Sequence, residues 1–461
     1  MTLIKSISGI RGTIGGKAGE GLTPLDAVKY ASAYAAWIKK RNSKKSEWSV
    51  VLGRDARISG PMIECLVMAT LQGSGIHVIH LDLSTTPTVE MAVPGEDADG
   101  GIILTASHNP KQWNALKLLN EKGEFLSAAD GAEILKLAEA DDFEYAEIDD
   151  LGGYTHIDDY IDRHIKAIEA LDLVDFSAVK EKKYKVAVDG VNSSGGIAIP
   201  ALLKAMGCEV VELYCTPNGE FPHNPEPLKE HLTDICNLVV KEKCDLGIVV
   251  DPDVDRLAFI TEEGEMFGEE YTLVAVADFI LQFTPGATVS NLSSSLALRD
   301  VTEAHGCSYT AAAVGEVNVV EEMKRTKAVI GGEGNGGIIY PALHYGRDAL
   351  VGTALFLTYL AKSDKSVKEL RDTYPHYVMA KEKITLTPEI NVDQVLEAFK
   401  NKYADQNPII IDGVKIIFGN EWVHLRKSNT EPIIRIYTES TSAEKAQDLA
   451  QRMIKELKDL V

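Results

Sequence analysis

The chain reads as an α/β protein, with three tandem mixed α/β modules followed by a C-terminal α+β domain. Two observations predict this. First, an apolar strand, a polar or glycine-rich loop, an Ala/Leu-rich helix closing on glycine and a second strand recur three times, each fitting a right-handed βαβ crossover. Second, beyond about residue 370 that order gives way to a strand, a helix, a run of strands and a last helix. With 461 residues the chain has room for about three or more domains and a sizeable core.

In the first module a strand over Ser49–Gly53 leads to a helix ending near Gly73 and a strand over Ile76–Leu81. The second runs from Lys185–Asp189 through the loop Gly190–Gly195 and a helix ending near Gly207 to Cys208–Tyr214. The third, weaker copy is Thr288–Leu292, Ser293-Ser-Ser, a helix ending near His305-Gly306 and Ser308–Ala311. Strongly acidic residues 139–150 and Gly152-Gly153 mark the first exit, and polar residues 362–375 mark a later junction. The last part predicts a strand at Lys383–Leu386, a helix at Val392–Tyr403 and strands at Pro408–Ile411, Gly413–Phe418, Trp422–Arg426 and Ile433–Tyr437. A closing helix at Ala443–Leu457 follows, with Thr441-x-x-Glu444 as a capping box. The expected domains are therefore 1–152, 153–260, 261–370 and 371–461.

Composition excludes several classes. A net charge of −22 argues against broad nucleic-acid or anionic-membrane binding, and it requires a local basic cluster to capture any anionic substrate. Six scattered cysteines form no zinc spacing and suggest a reducing compartment. The N-terminus lacks a signal-peptide pattern, and no apolar run approaches the roughly 18–20 residues that span a bilayer, so a cytoplasmic location is expected.

Residues 104–117, LTASHNPKQWNALK, place Ser107, His108 and Lys117 close together behind an apolar strand. A nucleophile there is presented from rigid backbone. A hydrolytic Ser–His pair is disfavoured, because neighbours on extended backbone face opposite ways and no G-x-S-x-G elbow is present. About 140 residues on, Asp251-Pro-Asp-Val-Asp-Arg256 sets three carboxylates on one tight loop between strands Leu246–Val250 and Leu257–Ile260. Hard divalent cations want such oxygens. An EF-hand is rejected, because position six is Arg256 rather than glycine and the flanks are strands. A solvated acidic turn is the plain alternative.

Gly331–Gly337 contains a formal G-x-G-x-x-G, yet Ile-Ile-Tyr-Pro341 follows and cannot open the helix a dinucleotide fingerprint needs. The loop fits close backbone approach to a ligand, with Glu333 and Asn335 as polar contacts, or else a structural glycine turn. Arg426-Lys-Ser-Asn-Thr-Glu-Pro-Ile-Ile-Arg435 gathers Arg426, Ser428, Asn429, Thr430 and Arg435, donors of the kind that grip phosphate, with a solvated basic turn as the plain alternative. Arg11, Arg54 and Arg57 are weaker candidates, the last two being open to simple ion pairing.

These motifs in this order resemble the α-D-phosphohexomutase superfamily over nearly the whole chain. The resemblance rests on Ser-Gly-Ile-Arg-Gly, Thr-Ala-Ser-His-Asn-Pro, Asp-Pro-Asp-Val-Asp-Arg, Gly-Glu-x-Asn-Gly-Gly, Arg-x-Ser-Asn-Thr-Glu-Pro and Phe221-Pro-His-Asn-Pro-Glu-Pro227. It implies four domains around a central cleft, with Ser107 phosphorylated and Mg²⁺ held by Asp251, Asp253, Asp255 and the seryl phosphate. It further implies acid/base roles for Lys117 and His108, and places Arg11 and Arg256 near the phosphoryl group. Glu333 and Asn335 would meet sugar hydroxyls, while Arg426, Ser428, Asn429, Thr430 and Arg435 would grip the non-reacting phosphate. The implied reaction moves phosphate between O6 and O1 of a hexose through a sugar 1,6-bisphosphate, which also acts as activator. The expected partner is a small hexose phosphate, and the protein a monomer or homodimer.

The Asn-Gly-Gly form of the sugar loop resembles that of archaeal-type members, and this resemblance implies glucosamine phosphate, with mannose or glucose phosphate next. A metal-dependent sugar-phosphate phosphatase and a silent sugar-phosphate-binding protein are the rival classes.

Overall fold

The computed structural model describes residues 2–6, 9–385, 391–427 and 433–459. It divides into two compact units, Met1–Thr272 with Gly336–Lys368, and Leu273–Asn335 with Glu369–Val461.

The first unit contains a seven-stranded mixed sheet in the order Ile4–Ser6, Gly9–Thr13, Trp113–Leu119, Gly100–Leu104, Trp48–Arg54, Ile76–Leu83, Tyr154–His156. Cover on both faces explains why Gly100–Leu104 and the middle of Trp48–Arg54 are apolar at successive positions. Val50, Leu52, Ile102 and Leu104 join a core with Trp37 and Ile38 of the helix Pro24–Arg41. Val51 and Ile103 point the other way, onto Val89 and Val93 of the helix Thr86–Gly95. The same unit carries a four-stranded sheet in the order Leu257–Thr261, Leu246–Val250, Lys185–Asp189, Glu209–Leu213. Only its first pair is antiparallel, so the aspartates occupy a hairpin connection at the end of two fully buried strands.

In the second unit the strands Tyr309–Ala312, Thr288–Asn291 and Ile330–Glu333 lie side by side and parallel. A separate antiparallel sheet runs Val378–Thr385, Ile433–Ser440, Glu421–Lys427, Val414–Phe418. Its inner face, with Ile416, Val423, Leu425, Ile434 and Ile436, packs on Phe399 and Met453 of the helices Val392–Lys402 and Ala443–Lys458. This is the expected α+β end.

Two local expectations need correction. Residues 408–411 form no strand of their own: Ile409 makes an isolated two-bond bridge to Lys415, at 2.8 and 2.9 Å, just before the strand Val414–Phe418 begins. The last helix is capped by Ser442, whose hydroxyl accepts from the Lys445 N–H, not by Thr441. A shift of one residue brings a hydroxyl of equal capping strength into place.

Candidate active site

Ser107 follows the strand Gly100–Leu104 in a left-handed conformation, φ 49°. That turn corrects the argument from extended backbone: His108 does not face away, and its Nδ1 lies 3.5 Å from Ser107 Oγ. The serine hydroxyl instead donates to Asp251 Oδ2 at 2.7 Å.

Arg57, fully buried, holds the serine loop in shape. Its guanidinium donates to the carbonyls of Ser107 (2.5 Å), Asn109 (2.7 Å), Pro110 (2.8 Å) and Trp113 (2.9 Å). Its Nε pairs with Asp55 at 3.0 Å, and Asp55 accepts from the Thr105 hydroxyl, which in turn accepts the Ser107 N–H. The ring of Phe221 packs beneath the guanidinium, 5.1 Å from its centroid. Arg54, by contrast, is spent on Glu64 and Asp82.

The aspartate loop closes tightly, with Val254 at φ 65° and the N–H groups of Asp255 and Arg256 both donating to Asp251 Oδ1 at 3.1 Å. All three carboxylates are fully buried. Asp253 Oδ2 accepts from Lys117 Nζ and from the Thr86 hydroxyl, each at 2.6 Å. Lys117 reaches this point because the strand Trp113–Leu119 pairs antiparallel with Gly100–Leu104, setting Lys117 opposite Ile103. Asp255 Oδ2 accepts from Arg347 at 2.7 Å and lies 3.4 Å from Lys117.

Burial pushes the Asp251 carboxyl up, and the neighbouring charges of Asp253 and Asp255 push it further. Asp253 goes down: burial opposes its charge, but Lys117 outweighs burial. Burial also opposes the charge of Lys117, yet Asp253 and Asp255 raise it overall. His108 is pushed down to about 2 by burial and by Arg256, Arg11 and Arg347, so its ring is neutral. Arg11 lies within this field and donates to Asn109 Oδ1 at 2.8 Å, while Arg256 donates to Glu226 at 2.9 Å.

Two buried oxygens, Asp253 Oδ1 and Asp255 Oδ1, accept no hydrogen bond among the described residues. The three aspartates can each offer an oxygen within 4.8 Å of the others. Bare buried acceptors among three crowded carboxylates fit a hard divalent cation, which would supply the missing positive charge.

The remaining candidates lie in the second unit. Glu333 is buried and accepts from Asn291 Nδ2 at 2.9 Å and the Gly315 N–H at 3.1 Å, while Asn335 is partly exposed. Arg426 pairs with Asp412 at 2.9 Å and stands opposite Arg435, which stands opposite Lys383 on its other side. Like charges side by side across strands cost stability unless an anion joins them, as a phosphate would. Ser428, Asn429 and Thr430 lie outside the described residues. Part of the glycine run has a structural cause within the first unit: a Cβ at Gly336 would sit 2.1 Å from the Leu257 carbonyl oxygen.

Sequence reasoning missed Thr86, Asp55 and Arg347, and it undervalued Arg57. Each is a single residue in an ordinary context, so only the fold brings it to the loops.

A serine hydroxyl, a carboxylate triad suited to a cation and surrounding buried cations are the parts that phosphoryl transfer requires. Four family models match in order: phosphoglucomutase/phosphomannomutase alpha/beta/alpha domain I over residues 3–145, domain II over 159–264, domain III over 268–377 and the C-terminal domain over 379–456. A phosphoglucomutase/phosphomannomutase from Thermococcus kodakarensis is 35% identical over 97% of this chain and 98% of its own length. A phosphoglucosamine/phosphogalactosamine mutase from Sulfurisphaera tokodaii is 31% identical over 98% of each chain. Among solved structures, a phosphoglucomutase/phosphomannomutase family protein from Burkholderia thailandensis superposes with a TM-score of 0.84 at 24% identity, covering 99% of this chain and 98% of that one.

The chain belongs to the phosphoglucomutase/phosphomannomutase family. It is a phosphohexomutase, an intramolecular phosphotransferase. Among the described residues, no helix is long and apolar enough to cross a membrane.

Proposed function

We propose that the chain interconverts glucosamine 6-phosphate and glucosamine 1-phosphate, with Ser107 as the phosphoryl carrier and Mg²⁺ as the cation. The observation that carries the reading is Ser107 Oγ at 2.7 Å from Asp251, beside two buried aspartate oxygens without donors. Asp251, Asp253 and Asp255 would hold Mg²⁺, which when bound neutralises charge on the transferring group. In the first half-reaction the Oγ–P bond of phosphoserine breaks and a P–O bond forms to the free sugar hydroxyl. Lys117 and His108 would handle the hydroxyl proton, the acid/base roles that the family resemblance implies; His108 Nδ1 lies 3.5 Å from Ser107 Oγ. The sugar 1,6-bisphosphate then turns around, and its other phosphate returns to Ser107.

Charge accounting explains the cations. Phosphoserine carries about −2 and the three carboxylates up to about −3 against +2 from the metal, a deficit of about three. Lys117, Arg256 and Arg11 supply three positive charges from this chain. Glu333 and Asn335 would meet sugar hydroxyls, and Arg426 and Arg435, with Ser428, Asn429 and Thr430, the non-reacting phosphate.

Support for the amino sugar comes from the Asn-Gly-Gly loop and from the 31% identical relative named as a phosphoglucosamine/phosphogalactosamine mutase. Mannose or glucose phosphate is the second reading, favoured by the 35% relative.

Peptide mapping after incubation with hexose 1,6-bisphosphate tests the mechanism. An added mass of about 80 Da on Ser107 is expected, and its absence in working enzyme sinks the carrier role. Comparing kcat/KM for glucosamine, N-acetylglucosamine, glucose and mannose 1-phosphates tests the sugar. A large preference for an un-aminated hexose overturns that part alone.

A further inference from the structure

One cation at the aspartate loop belongs to none of the sequence motifs. Arg347 sits in Tyr345-Gly346-Arg347-Asp348, and its side chain is 10% exposed. Its Nη2 donates to Asp255 Oδ2 at 2.7 Å, closer than Lys117 at 3.4 Å. Arg347 and Lys117 together cover the second oxygens of Asp255 and Asp253, while the first oxygens of both stay without donors. The cations therefore close one side of the triad and leave the other open.

The backbone on either side of Arg347 is anchored. Asp348 caps the helix Ala349–Ser363, taking the N–H groups of Leu350 at 2.8 Å and Val351 at 3.2 Å on one oxygen. Its other oxygen lies 2.9 Å from His164 Nε2 and 3.3 Å from His344 Nε2. On the opposite side, Gly346 approaches Glu90 so closely that a Cβ would lie 1.9 Å from its carboxylate. Arg347 also forms an isolated bridge to Ile339. A long side chain whose root is fixed this firmly loses little entropy in holding its partner.

We infer that Arg347 is a positioning residue for the cation site, a tethered counter-charge that holds Asp255 while no divalent ion is bound. A bound ion draws on the same carboxylate, so Arg347 and the metal compete for it. An ion on Oδ1 would meet the Arg347 charge on Oδ2 of the same carboxylate, so the guanidinium weakens the ion's hold while it keeps Asp255 in place for turnover. The inference rests on the proposed roles of Ser107 and the aspartates.

The test uses full-length protein stripped of metal, as wild type, Arg347→Met and Arg347→Lys. Mg²⁺ affinity is read by calorimetry on the unphosphorylated protein, and kcat at saturating Mg²⁺. Arg347→Met should bind Mg²⁺ about fivefold or more tightly than wild type, the scale on which two coupled sites compete. Its kcat should fall about 100-fold, the usual cost of one preorganised donor, and Arg347→Lys should fall between the two. General damage to the fold weakens metal binding and cannot tighten it, so the opposed directions separate a positioning role from a structural one. Unchanged or weaker Mg²⁺ binding in both variants, or kcat within threefold of wild type in Arg347→Met, overturns the inference. If wild type itself binds no Mg²⁺ or never carries phosphate on Ser107, the functional reading falls and this inference with it.

Discussion

Two buried clusters in the first unit are built from similar residues and are opposite in physical character. In one, Asp348 gives one oxygen to two helix N–H groups and the other to His164 and His344. In the other, Asp251, Asp253 and Asp255 crowd together, and two of their oxygens meet no donor among the described residues. The first cluster ties a helix start to two histidines, and the second leaves bare buried acceptors that a cation would meet. Residue type does not distinguish a structural knot from a ligand site; satisfaction of each carboxylate oxygen does.

The sharpest way to break this contrast is to neutralise each side. Asp251→Asn keeps shape and removes repulsion, so the cation-free protein should melt no lower than wild type, and slightly higher if relief of repulsion dominates. Activity should fall about 10³-fold, and Mg²⁺ should no longer raise the melting temperature. A melting temperature several degrees lower, measured by scanning calorimetry without metal, would show that the triad is structural.

Asp348→Ala should do the reverse, destabilising by about 3–5 kcal/mol as a buried pair and a cap are lost together. Denaturant titration measures it, and a cost below about 1 kcal/mol would contradict the assignment. Burial opposes the Asp348 charge, but His164 and His344 outweigh it and depress the carboxyl. Its stabilisation is therefore present above the unfolded carboxylate range, about pH 4, and is lost as pH falls through the lower folded value.

His424 extends the test to the second unit. Its Nε2–H donates to the Asp412 carbonyl at 2.6 Å, and Nδ1 accepts from the Ser293 hydroxyl at 3.0 Å. Burial, with Lys415 and Arg426, pushes it down to about 4. The unfolded chain binds this proton first, so stability should decline as pH drops from about 6.5 towards 4, by up to about 3 kcal/mol. His424→Gln should flatten that slope in melting curves taken across the range; an unaltered slope would place the titration elsewhere. The smallest effect concerns the last helix: Ser442→Ala should cost about 1 kcal/mol and Thr441→Ala almost nothing. The opposite order in denaturant melts would restore the cap expected from sequence.

Much of this was legible because strands and loops announce themselves through pattern. The strands Lys185–Asp189 and Leu246–Val250 fall where the apolar runs place them, and the three aspartates sit on the tight loop expected after the second. The relation of Ser107 to His108 was misread, because a single left-handed residue reverses the rule for extended backbone and nothing in Ala-Ser-His announces it. Arg347 and Thr86 were invisible for another reason: they lie far along the chain from the residues they touch, and neither is flanked by a chemical pattern.

The arrangement around Arg57 has a thermal consequence. Because one side chain staples four carbonyls of the serine loop and is itself tied through Asp55 and Thr105 to the end of a central strand, Ser107 has no soft hinge of its own. Heat should therefore silence turnover only when the sheet itself gives way, and the inactivation and unfolding curves should superimpose.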